Sequence, residues 1–477
     1  MTAPEIRIRG IGLFERPVRF RLPFRFGAVT LTEARQAFLR LEIETREGAT
    51  AVGVSADLLA PKWFDKRPGL SPGETVEELA EALLSAREEA LADRGFATVF
   101  DHARALGPAV RARVEGAGMP GLVAAFAIAQ LERAMVDALC RHTGRSVFEA
   151  VSSGLLGIDG GLLPERPEAR FGPLLATVAP PRFLWLRHTV GMLDPLREEE
   201  VEEDPGDGLP VSLEAVIRRH AVRFFKLKLA GDVEADHARL REIARLLDRL
   251  AEPYHATLDG NEQYADPASL ERLLDRVEAD RRLERMRSSI LYIEQPLPRA
   301  RTFEVDLGPL AERVPFLIDE ADDRPDSFPR AREHGYRGVS VKACKGFFTA
   351  LANRLRCELA NAEAGRTVAF PSSEDLTTQP GVALQQDLAL AALCGCVHSE
   401  KNGHHFAGDM QGATAAEKRA FAEAHGDLYR LEGDALRLVV ETGRLRIGSL
   451  ACPGYGAALL PDFGAMQPLA RGGGAHG

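Results

Sequence analysis

The sequence predicts an α/β fold in which a closed (β/α) barrel follows an N-terminal α+β module. Three observations predict it. From about residue 183, short apolar strands alternate with amphipathic helices at the spacing of βα units, which implies a parallel sheet. Near their C-terminal ends those strands are interrupted by charge: first lysines, then acids, then a lysine again. The first 145 residues follow another grammar, strands and then helices. About eight βα units close a barrel, whereas fewer give an open doubly wound sheet. Strand ends converge on one mouth in a barrel and fan out in an open sheet, so the grouped charges favour the barrel.

The opening module begins with alternation of apolar and charged residues in Ile6-Arg7-Ile8-Arg9 and again over residues 38–45. Residues 75–150 read as helical, the clearest helix spanning 122–140, with Gly144 as its stop. In the second part, residues 224–229 read as a strand. A helix over 233–250 follows, with Asp232 as N-cap and Leu240, Ile243, Leu247 and Leu250 on one face. Another helix starts at Asp266-Pro267, a cap followed by proline at the first helical position. Further strands are expected at 256–259, 290–294, 316–319, 338–342 and 367–370, and near Val397. The acidic run over 198–204 reads as a solvated loop, and the tail over 471–477 as disordered.

Composition narrows the function. The 477 residues carry 60 Lys+Arg against 70 Asp+Glu, a net charge of −10, with 45% hydrophobic and 27% charged residues. These proportions suit a soluble globular protein. The acidic balance argues against nucleic-acid binding, and no apolar run reaches the ~18 residues of a membrane span. The N-terminus lacks the apolar core of a signal peptide. Six cysteines are too few for a disulfide scaffold, which points to a reducing, cytoplasmic setting. Cys394 and Cys396 have a poor spacing for zinc and read as buried free thiols.

The chemistry is read from the interrupted strands. Phe225-Lys226-Leu227-Lys228-Leu229 puts two lysines on one face, because side chains alternate with period two. Charge in a buried strand is costly unless it is paired or functional. Asp259, Glu294 and Asp319 then end three successive strands, and Lys342 ends the next. Three converging carboxylates without histidine or cysteine make a hard-oxygen site, suited to Mg²⁺, with Mn²⁺ as an alternative. Glu320 is the rival of Asp319 and should face the other side of its strand. Lys228 and Lys342, on the second and sixth barrel strands, would face a substrate carbon from two sides. Crowding by Lys226 and a metal charge should lower the pKa of Lys228, fitting it as a base. The chemistry expected is removal of the proton α to a carboxylate, with the metal holding the enediolate charge. Reprotonation would give racemisation or epimerisation; loss of a β-group would give elimination or cycloisomerisation.

These residues resemble the enolase superfamily, and within it the mandelate racemase/muconate-lactonizing-enzyme branch. Lys226-x-Lys228 resembles that branch's KxK motif. Asp259-x-Asn261, Glu294-Gln295-Pro296 and Asp319-Glu320 resemble its three metal-ligand strands, and Lys342 resembles the opposing lysine. Ala134-Met135-Val136-Asp137-Ala138 resembles the segment leading into the barrel, and Gly454-Tyr455-Gly456 the C-terminal return to the cap. The resemblance implies a modified TIM barrel, (β/α)7β, under an N-terminal α+β capping domain. It implies a cap over 1–145, a barrel over 146–430 and a returning segment over 431–477. It also implies Mg²⁺, a small-molecule carboxylate substrate and a homo-oligomer, with Lys226, Lys228 and Lys342 as the catalytic lysines. Asn261, Gln295, Glu320, Lys345 and Glu400 are expected to support these groups or touch substrate, as are Phe24 and Phe26 of a cap loop closing over the site.

The chain also departs from the pattern. Ala321 stands where serine is frequent, and Lys345-Gly346-Phe347-Phe348 lacks the usual glycine pair. The paired aspartates by which dipeptide epimerases hold an ammonium are replaced by the stretch from Val397 to His405, in which Glu400 could touch substrate. Three alternatives remain: an acid-sugar dehydratase using His398, His404 or His405; a Schiff-base aldolase; and a catalytically silent homologue. His188 reads as a hydrogen-bonded structural histidine, and Trp63 as cap core or a loop anchor.

Overall fold

A computed structural model of the chain describes residues 3–26, 29–92, 95–166, 168–169 and 172–470. The expected disordered tail, 471–477, lies outside the described residues. The N-terminal module opens with three antiparallel strands, β1 (Ile6–Phe26), β2 (Val29–Thr45) and β3 (Thr50–Leu58). The alternation over residues 38–45 is realised in β2: Leu39, Leu41 and Ile43 are buried, while Arg40, Glu42 and Glu44 are half-buried. β1 is far longer than its alternating start suggests. It runs to Phe26, with a pairing irregularity between Arg19 and Phe24.

Three helices follow, α1 (Pro72–Ala92), α2 (Val99–Gly116) and α3 (Gly121–Thr143); α1 and α3 pack on the sheet and α2 on those two helices. α3 ends where its sequence signal places the stop, at Gly144 with φ 64°. It crosses β3 so closely that a Cβ on Gly53 would lie 2.1 Å from the Ala134 carbonyl oxygen and 2.4 Å from the Ala138 nitrogen. Both are backbone atoms and cannot swing aside. Gly53→Ala is therefore expected to destabilise the protein by on the order of 3 kcal/mol, read as a lower urea midpoint. An unchanged midpoint would contradict this packing.

Eight parallel strands follow: β4 (Phe183–Val190), β5 (Phe224–Lys228), β6 (His255–Asp259), β7 (Ile290–Glu294), β8 (Phe316–Ile318), β9 (Gly338–Val341), β10 (Phe370–Ser373) and β11 (His398–Glu400). They pair in chain order, and β11 pairs with β4 to close the barrel. A helix lies in each of the seven connections, so the architecture is a modified TIM barrel, (β/α)7β, with a capping domain. The helix Val233–Leu247 begins as expected, with Asp232 accepting from the amides of Glu234 and Ala235. Asp266 caps Pro267–Ala279 in the same way.

The seventh strand is displaced from its expected place. The run over 367–370 looks like a strand, but the Asn361 side chain takes up the Val368 and Ala369 amides and the Ala369 carbonyl. β10 is instead Phe-Pro-Ser-Ser, polar because its inward side chains face a polar barrel interior.

The C-terminal segment forms the hairpin β12 (Tyr429–Glu432) and β13 (Ala435–Leu438) and then β14 (Arg444–Arg446), which lies antiparallel on β4. It returns to the cap, where β15 (Gln467–Pro468) pairs with β1. Asp137 of α3 fastens the return: its carboxylate accepts from the amides of Val54 and Tyr455 and from Arg141. Cys394 and Cys396 are buried and free. No helix among the described residues is long and apolar enough to cross a membrane.

Candidate active site

The barrel mouth lies under the cap and encloses a cavity of about 30 Å³. That holds little more than a water molecule, so a substrate requires the cap to give way. Lys226, Lys228, Asp259, Asn261, Asp319, Lys342 and Glu400 line the cavity from below; Phe24, Leu31, Leu58, Ala60 and Trp63 cover it from the cap. The Phe24 ring packs on Phe406 at 4.4 Å. The side chain of Phe26 and residues 27 and 28 lie outside the described residues.

The strand register builds a row. Lys228, Asp259 and Glu294 are neighbours across β5, β6 and β7. Phe225 and Leu227 are buried on the outer face, while Lys226 and Lys228 point inward. Lys228 Nζ donates to Asp259 Oδ2 at 2.6 Å and to Asn261 Oδ1 at 2.7 Å. Lys226 Nζ lies 2.9 Å from Asp259 and 2.8 Å from Glu294 on one side. On the other side it lies 2.8 Å from Glu374 and 2.9 Å from Glu400. Asp319 follows β8 and accepts from Ser340 at 2.5 Å and from Lys342 at 2.7 Å. The Lys342 ammonium sits over the Trp63 ring, 4.1 Å from its centre.

The remaining expected residues support this set. Asn261 takes φ 41° and Gln295 φ 30°, both in the left-handed region at the turns where strands meet the cavity. Gln295 does not reach the cavity. Its Oε1 accepts from the amides of Asp319 and Ala321, which fixes the turn carrying Asp319. Lys345 bonds the Asp319 carbonyl and Ser340. Glu320, buried beside Asp319, faces Lys66 of the cap and Asn261.

Several residues escaped the sequence reading. Glu374 follows β10 and was hidden by the strand's displaced position; Asp375 beside it, the one acid the sequence offers a dehydratase on this strand, lines the cavity. Arg187 spans the barrel interior, bonding Tyr292, Ser372 and His398 and pairing with Glu374 at 2.5 Å. Its signal was available, a charge inside an apolar strand, as for Lys226. Trp63 is not merely an anchor but one wall of the site. His188 points out of the barrel, away from the cavity, with Nδ1 lacking a hydrogen bond. Its ring lies 4.9 Å from that of His405 and 5.7 Å from that of His404.

Electrostatics explain how so many charges coexist. Burial opposes ionisation of Asp259 and Asp319, but the lysine ammoniums outweigh it and hold both acids below the usual carboxylate range. Burial likewise opposes charge on Lys226 and Lys342, yet the surrounding acids hold both above the ordinary lysine value. For this pair the acids, not the crowding of ammoniums, set the direction. Glu294 is the exception among the three expected ligands: burial, then Asp259 and Glu374, push it well above its ordinary value. Its Oε2 is buried and meets only the Lys226 ammonium, 2.8 Å away, without a hydrogen bond of good geometry. The all-carboxylate donor set fits a hard divalent ion. Among the described residues no three such groups already converge on one point. Asp259 and Glu294 hold Lys226, while Asp319 holds Lys342.

No family model matches the sequence, and no curated protein matches it. Solved structures do. One is a dipeptide epimerase from Enterococcus faecalis V583 complexed with Mg and the dipeptide L-Leu-L-Tyr, 14% identical, with TM-score 0.62 over 94% of this chain and 99% of that one. Another is an enolase from Bradyrhizobium complexed with magnesium and mandelic acid, 18% identical, with TM-score 0.59 over 98% of both chains. A third is a muconate lactonizing enzyme from Pseudomonas fluorescens complexed with muconolactone, 17% identical, with TM-score 0.57 over 96% of this chain and 98% of that one. The likeness shows that this chain has their fold over nearly its whole length.

Proposed function

We propose that this chain is an isomerase or lyase of the enolase superfamily, in its muconate-lactonizing-enzyme-like branch, which removes the proton α to the carboxylate of a small molecule. The observation that carries the reading is the placement of two lysines four strands apart in an eight-stranded barrel, each bonded to an acid of one converging row. Asp259, Glu294 and Asp319 would hold Mg²⁺. When bound, the ion would supply positive charge to the substrate carboxylate and draw off the negative charge that keeps the lysines protonated. Lys228, oriented by Asn261, takes the α-proton from one face. Lys342, set against Trp63, holds or returns a proton on the other. The apolar cap residues exclude water from the exchange.

The competing readings lack their defining groups. A Schiff-base lysine belongs in an apolar pocket, whereas Lys228 sits against Asp259. An acid-sugar dehydratase needs a histidine at the mouth, but His398 is held by Arg187, His404 and His405 pack against outward-facing His188, and none lines the cavity.

The test is α-proton exchange in D₂O with Mg²⁺, screened over N-acyl amino acids, dipeptides and cyclic or unsaturated acids. Exchange with at least one class is expected, and Lys228→Ala and Lys342→Ala serve as controls. Exchange of one and the same enantiomer that survives undiminished in both variants would sink the proposal.

A further inference from the structure

We infer that Lys226 is a displaceable counter-ion: it bridges Asp259 and Glu294, two of the expected metal ligands, and yields them to Mg²⁺ by falling back on Glu374 and Glu400. The inference rests on the metal reading above and concerns how this chain holds its site ready.

The contacts have two sides of unequal strength. Toward β6 and β7, the ammonium straddles both Glu294 oxygens, at 2.9 Å and 2.8 Å, and touches Asp259 Oδ2 at 2.9 Å. Among the described residues, the Glu294 carboxylate takes its hydrogen bonding from Lys226 alone. Toward β10 and β11 the acids are anchored independently of the lysine. Glu374 is held by Arg187 at 2.5 Å and by the Tyr292 hydroxyl at 2.9 Å. Glu400 is held by Thr189 at 2.5 Å, by Asn402 at 2.9 Å and by the Asp375 amide at 2.9 Å.

An ammonium has three donors, and four carboxylates surround this one. It can release Asp259 and Glu294 and remain paired. A divalent ion needs oxygens at about 2.0–2.1 Å, and it repels a cation that straddles the same carboxylate. The lysine and the ion therefore compete for Asp259 and Glu294, while Glu374 and Glu400 give the lysine somewhere to go.

The experiment is titration calorimetry of the full chain with MgCl₂, paired with thermal unfolding with and without the salt. Lys226→Met keeps the length of the side chain and removes its charge. It is expected to tighten Mg²⁺ binding about tenfold or more and to enlarge the stabilisation given by Mg²⁺. Glu374→Gln keeps every cation, and it provides the test if the methionine variant does not fold. It should weaken binding about tenfold, and most of that loss should vanish in the double variant, because Glu374 acts through Lys226. If Lys226→Met binds Mg²⁺ no more tightly than the wild type, or Glu374→Gln leaves the affinity unchanged, the inference is overturned. Failure of the wild-type protein itself to bind Mg²⁺ would instead overturn the metal reading.

Discussion

Lys228→Ala should reduce α-proton exchange on a responsive acid by on the order of 10²–10⁴-fold, the usual worth of a positioned general base. The effect should depend on configuration. Lys228 and Lys342 stand on β5 and β9, four strands apart in a closed ring of eight, so they approach a bound substrate from opposite faces. Lys228→Ala should therefore abolish exchange for one enantiomer, and Lys342→Ala for the other, in a protein that reprotonates its intermediate. In a protein that eliminates a group, one lysine should carry nearly all of the exchange. Deuterium incorporation followed by NMR separates these outcomes. Equal and modest losses in both variants for both enantiomers would mean that neither lysine is a base. Asn261 and Trp63 should matter less, because they orient the two ammoniums and do not exchange a proton.

The second large effect is loss of stability in acid. His188, His404 and His405 pack together outside the barrel, and His220 lies 6.0 Å from His404. Burial pushes His188 down to about 3, helped by His220, and pushes His220 down to about 4, helped by Arg219. It holds His404 and His405 well below the ordinary value, with Arg21 and the other rings adding to the effect. A histidine depressed in the folded state is neutral in both states above about 6.5, so its stability is intact there. Below that pH the unfolded chain takes up the proton first, and stability falls until the folded value is reached. At pH 5 this amounts to about 2 kcal/mol for each of His188 and His220. Typical total stability is only about 5–15 kcal/mol.

Buried acids oppose the trend, Glu294 and Glu320 among them. Burial raises Glu132 to about 7 and raises Asp57 and Asp194 to about 6, so they favour the fold as pH falls through those values. The contribution of the histidine cluster itself is a lower urea midpoint at pH 5 than at pH 7.5. His188→Phe keeps a ring and removes the titration, so it should recover about 2 kcal/mol of the difference. A variant with the wild-type pH dependence would show that the cluster is not the cause.

Most of the barrel was legible because its signals are local. Helix caps at Asp232 and Asp266 and the stop at Gly144 each depend on a few adjacent residues. Strand-end charges at Lys228, Asp259, Glu294, Asp319 and Lys342 stood out because charge is rare in apolar runs. β10 was misplaced for the complementary reason. Its own residues are polar and include proline, while the apolar run before it is claimed by Asn361, a partner in the preceding helix that no periodicity reveals. The length of β1 was invisible in the same way, since its second half is a strand only because β2 pairs with it.

By itself, then, the chain determined which side chains sit at which strand ends and the order in which they go round the barrel, because alternation and spacing are properties of neighbouring residues. Only the tertiary structure decided which charges meet. That Lys226 is shared by acids from four strands, that Arg187 holds Glu374, and that Trp63 of the cap lies on Lys342 follow from closing the ring and lowering the cap. Burial makes each of these charges costly alone, so each must find its partner across the barrel, at a distance in sequence that no local pattern encodes.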